Sequence, residues 1–175
     1  MMNDESRSDH EKIEDVFFDQ INERRKEDPL IGAKLGAKEI FNSLLKAGKD
    51  SRGVHIETFM CALGALAGYS CQVSLRKEFI EIKGLSEEQV FSVVQTRDGK
   101  RFFYGDLINK MLLEEQYSVW SLAAGMVQHM GVNIDFDVIE ILKYVAATVG
   151  TENYGIPRIP KGHSPADIPI NFVKV

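Results

Sequence analysis

Proline is nearly missing from the body of this 175-residue chain: four of its five prolines fall between Pro157 and Pro169. Proline cannot continue a helix and pre-sets an extended backbone, so helix is excluded from that C-terminal stretch. Cysteine is as scarce, with Cys61 and Cys71 alone. On one helix these two would stand roughly 15 Å apart, about twice the Cα reach of a disulfide, so they are not expected to pair. The first residues, MMNDESRSDH, are charged rather than apolar. A secretion signal is therefore not expected, and two reduced thiols fit the cytoplasm.

Positive charge never gathers. The longest basic clusters are Arg24-Arg25-Lys26, inside an acidic segment, and Lys100-Arg101. Nucleic-acid binding needs a clustered basic surface that displaces counterions, so that class is set aside. Phosphate-cradling and nucleophile-elbow patterns are also missing: there is no GxxxxGK[ST], GxGxxG or GxSxG. The glycines of Gly64-Ala65-Leu66-Ala67-Gly68 have no basic residue beside them. His55-Ile56-Glu57 matches the first half of a zinc deaminase signature, but the Pro-Cys-x-x-Cys half is absent. His55, Cys61, Cys71 and His129 lack the close ligand spacing of zinc sites. A Cys-His nucleophile would need a low-pKa thiolate near the surface, and the surrounding sequence points to burial. No metal, cofactor or catalytic motif is implied, and no family resemblance carries an activity over.

What is present is patterned. Ten acids against five bases fall in residues 1–28, leaving sixteen of each in the remainder; the negative excess is thus N-terminal and the body is neutral. Residues 1–7 read as a disordered terminus. Ser8-Asp9-His10-Glu11 has capping-box spacing ahead of an amphipathic helix to about Lys26, with Ile13, Val16, Phe17 and Ile21 on one face. Asp28-Pro29 reads as the start of a second helix closed by Gly48. The stretch 54–72 follows, uncharged from Thr58 to Leu75. A membrane span would need a longer strongly apolar run than it offers, so it reads as a buried central helix. Its seam of Cys61, Gly64, Gly68 and Cys71 is expected to cross the small-residue seam around Ala124 and Gly125. A break is expected near residues 73–90, because one helix from Val54 to Ile82 would be roughly 43 Å long.

Asp98-Gly99 between VFSVVQT and RFFY predicts a β-hairpin near 90–104 with a tight type I′ turn. That turn would pair Gln95 with Phe102, Val94 with Phe103 and Val93 with Tyr104. Asp106, Ser118 and Asp135 are expected to cap later helices, the last closed by Gly150. The fold class is therefore mainly α (α+β). A single helical domain over 8–150 carries the small antiparallel hairpin. Residues 151–175 form an extended proline-rich arm, docked on the domain itself or on a partner subunit.

His55 and Glu57 share a face only if the chain is still extended there; within a helix they diverge by about 200°. Tyr104 and Asp106 lie where a ribbon hands over to a helix, a place for exposed backbone donors and a carboxylate, although Asp106 also serves as a plain helix cap. His163 and Asp167 in the arm could close over a cleft, or simply be surface-loop residues. The ligand-site candidates are His55, Glu57, Tyr104 and Asp106. The leading reading is a non-catalytic cytoplasmic binding or assembly domain, homo-oligomeric, with no nucleic-acid or membrane partner. The alternative is a small-molecule enzyme or sensor near His55, Glu57 and Asp106.

Overall fold

The structure, a computed structural model, describes residues 9–133, 137–159, 161–167 and 169–173, with the side chains of 9–14 and 170 left aside. The expectations for 1–7, the Ser8 capping box and the Asp135 cap lie outside these residues. The fold is mainly helical, with two small antiparallel ribbons. The chain divides into two compact units between Val54 and His55.

In the first unit α1 (Asp9–Arg24) and α2 (Ile31–Ala47) are followed by a ribbon of β1 (Lys49–Asp50) and β2 (Gly53–Val54). Among the described side chains of α1 Ile21 is buried, and a side chain at Gly32 would come within 3.9 Å of it. Asp28 does not begin the helix as expected. Its carboxylate accepts from the Leu30 amide at 3.1 Å, closing a turn that holds Pro29, and α2 starts two residues later behind Leu30. The charged connection after Gly48 folds as the β1–β2 ribbon, with Lys49 opposite Val54 and Asp50 opposite Gly53.

The second unit opens with α3 (Ile56–Leu75), which continues without a break as a wider π-helical segment, Arg76–Ile82. The expected break is absent because the chain spreads its turns rather than ending. Lys83 reaches back five residues to the Glu78 carbonyl at 3.2 Å, and helix stops only at Gly84, with φ +72°. By length and composition the 27 residues Ile56–Ile82 would suffice to cross a membrane. The expected burial of this helix holds only in part: Phe59, Ala62, Cys71 and Leu75 are buried, whereas Ile56, Met60, Tyr69 and Val73 are exposed.

The short α4 (Glu87–Val90) is entered through a capping box formed by Ser86 and Gln89. It leads into β3 (Ser92–Gln95) and β4 (Arg101–Tyr104). The hairpin forms, but one residue out of the expected register: Val93 faces Phe103 and Val94 faces Phe102. The cause is the loop. Gly99, at φ +85°, donates to the Thr96 carbonyl at 3.0 Å, and Thr96 pairs with Lys100 at 2.9 Å. This is a three-residue connection ending in a left-handed glycine, not the two-residue type I′ turn. A one-residue shift turns every side chain of a strand over relative to its partner. Val93 and Phe103 therefore pack on the core of Cys71, Leu75, Val90, Phe91 and Ile108. Val94 and Phe102 face the other way, toward Gly150 and Gly155.

After the hairpin come α5 (Asp106–Asn109) with a π-helical extension Lys110–Glu114, α6 (Val119–His129) and α7 (Val138–Thr148). Gly105, not Asp106, is the cap position of α5. The buried Ser118 caps α6, accepting from the Ser121 amide at 3.1 Å. Asp137 caps α7, accepting from Ile139 at 2.8 Å. The expected crossing of glycine seams is not made: among the described residues, a side chain added at Gly64, Gly68 or Gly125 would meet no atom outside its own helix within 4 Å. Small residues permit close approach without drawing a partner in. What lies along α3 is the arm, whose short 3-10 turn Pro169–Phe172 packs on it. The arm thus docks on its own chain.

Candidate functional site

At the start of α3 the backbone of His55 is extended, with φ −73° and ψ 103°, and helix begins at Ile56. That conformation resolves the question of divergence. His55 Nε2 lies 3.4 Å from Glu57 Oε2, and its Nδ1 lies 2.7 Å from the Thr58 hydroxyl. The arm closes on the same point: the Ala166 amide donates to Thr58 Oγ1 at 2.8 Å, and His163 Nδ1 lies 3.3 Å from Glu57 Oε1. Glu57 thus has an imidazole on each oxygen. The Glu57 carboxyl is held below the usual carboxylate range, first by its own backbone N–H, then by His163 and the charge of His55.

One turn further, the Cys61 thiol faces the Asp167 carbonyl at 3.7 Å. Burial pushes this thiol up, and Asp167 adds to the effect. It stays protonated and is a poor nucleophile, which speaks against a Cys-His pair. The two imidazoles meet different oxygens of Glu57 rather than converging on one point. Among the described residues no three His, Cys, Asp or Glu side chains are placed to hold a metal ion. The cluster borders a hollow of about 520 Å³ reaching Met60, Ala65 and Ile159.

Tyr104 and Asp106 are placed elsewhere. Tyr104 ends β4 opposite Ser92, and Asp106 is the exposed first residue of α5. Through Ile108, α5 joins the core around Cys71 and Leu75, and Cys71 lies roughly 22 Å along α3 from its first turn. The structure brings His55 and Glu57 together, adds His163, and leaves Tyr104 and Asp106 at the far end of the helix.

A larger concavity was not foreseen in the sequence. On the outer face of the hairpin, β4, α7 and the start of the arm enclose a groove of about 750 Å³. Phe102 stands edge-on to Tyr154 with ring centroids 4.6 Å apart, while Ile141 and Val145 of α7 supply aliphatic wall. Arg158 places its guanidinium 4.8 Å from the centre of the Tyr144 ring. Burial, then Tyr104, pushes the Tyr154 phenol up, so it is a hydrogen-bond donor at neutral pH. No short motif marks these residues; the one signal was the second apolar face of the hairpin. Such a groove, apolar with a few polar groups, is of the size that takes small ligands. No family model, no curated protein and no solved structure matches this chain.

Proposed function

We propose that the chain is a non-catalytic cytoplasmic assembly subunit that pairs with a second copy of itself through α6. One observation carries this reading: Val119, Leu122, Met126 and Met130 form a continuous stripe along α6, and Leu122 and Met126 are 58% and 60% exposed. Contiguous exposed apolar surface of this kind marks interaction sites. The occupant is a second copy because the stripe suits itself. No Asp, Glu, Lys or Arg occurs from Ser118 to Met130, so two such faces meet across a two-fold axis without like-charge repulsion. Gly125 beside the stripe leaves room for close approach. Light scattering during size-exclusion chromatography tests this: a dimer is expected for the native chain and a monomer for Met126→Lys. A native monomer at every concentration up to the solubility limit overturns it.

The cluster of His55, Glu57 and His163 favours a second reading, a small-molecule enzyme or sensor at the start of α3, without Asp106. Imidazole resonances of His55 and His163 followed by NMR against a metabolite mixture test it. Resonances that no component moves would remove it.

A further inference from the structure

We propose that the groove between β4, α7 and the arm binds a small amphipathic carboxylate, its apolar body against Phe102, Val145 and Tyr154 and its carboxylate on Arg158. The body of the ligand follows from the lining, which is largely aromatic and aliphatic. Its charge follows from the cations. Among the described residues Arg158 meets no carboxylate within ion-pair distance; its contact is the face of Tyr144. A guanidinium seated on an aromatic face keeps its donors free for a planar bidentate partner, and a carboxylate is that partner.

The neighbouring charges do not cancel Arg158. Glu140, the one acid on the groove wall among the described residues, is engaged by Lys143 at 2.8 Å. Arg101, which also lines the groove, shares the Glu87 carboxylate with Arg76, so two guanidiniums divide one negative charge. Counted with these partners the groove is positive, in a chain whose formal net charge is −5. An anion is therefore drawn to the groove. The apolar lining is a reason for the ligand to carry a substantial hydrocarbon body, since a bare inorganic anion would leave that lining wet.

Isothermal titration of the full chain with decanoate, decanol and decyltrimethylammonium tests the inference, because the three share a hydrocarbon body and differ in charge. Decanoate is expected to bind one per chain, at least about tenfold tighter than decyltrimethylammonium. Arg158→Gln is expected to weaken decanoate about tenfold while leaving decanol unchanged. Arg158→Lys should retain part of that difference. Val145→Trp, which fills the groove, should abolish binding of decanoate and decanol together, with circular dichroism showing the helical fold retained. Equal affinity for all three probes overturns the inference. So does decanoate binding that survives both Arg158→Gln and Val145→Trp, since the amphiphile would then sit on another apolar face. Met126→Lys, chosen to disrupt self-association at α6, is expected to leave decanoate binding intact, which separates this test from that of assembly.

Discussion

Single side chains at the turns and caps decide much of this molecule. Asp98 in the hairpin loop is hydrogen-bonded by the Thr96 hydroxyl and paired with Lys100 at 3.0 Å, and its carboxyl is pulled down to about 2. A carboxyl lowered by folding contributes stability above its unfolded value and loses it as pH falls through its folded one. Carboxyl NMR should therefore show Asp98 titrating near pH 2, with the loop amides exchanging faster below that point. Asp98→Asn should remove this acid-side change. Glu57 is lowered in the same direction by its own backbone N–H, His163 and His55, so its hold on the arm is also a property of neutral pH that fades in acid. Glu57→Gln should speed exchange of the Ala166 amide, which is anchored on the neighbouring Thr58. An unchanged exchange rate would show that the Thr58 contact suffices alone. Ser118 is the buried cap of α6; Ser118→Ala should cost about 1 kcal/mol in chemical denaturation.

Among the elements, those with local signals were legible. The Ser118 cap and the hairpin announce themselves within a few residues, because a cap or turn needs particular side chains close in sequence. What depended on distant partners was not legible. The spacing of Gly64, Gly68 and Gly125 showed where a helix could come close, but another element, the arm, covers part of α3. His163 stood out only as a polar residue among prolines, since its partner Glu57 is 106 positions away. The continuation of α3 into Arg76–Ile82 went against the length argument, because a helix of roughly 43 Å is long for a chain of this size. This extension matters for packing, because Arg76 lies 4.4 Å from the centre of the Phe103 ring and 5.1 Å from that of Phe91. Phe91, 3% exposed, is the keystone between α4 and the hairpin, and Phe91→Ala should cost about 3–5 kcal/mol. A urea midpoint left where the native chain has it would show that Phe91 is not part of the cooperative core.

At the scale of the whole molecule, covered and uncovered apolar surface are divided along the chain. The core lies where the end of α3 meets α4, the hairpin and α5. Val119, Leu122, Met126 and Met130 on α6, and Ile139, Ile141, Leu142 and Val145 on α7, remain open. If α6 pairs with its copy, the Tm should rise with protein concentration, as it does for any folded state favoured by mass action; a Tm constant over a hundredfold range would exclude that coupling. The groove owes its lining to the three-residue loop at Arg97–Gly99. That loop works like a reading frame for side chains. With the loop one residue different, β4 would turn over, taking Phe103 out of the core and Phe102 into it. Insertion of a single residue there is thus a frameshift of surface rather than of sequence: every amino acid of the ribbon would be retained, while β4 exchanged its two sides against an unchanged β3.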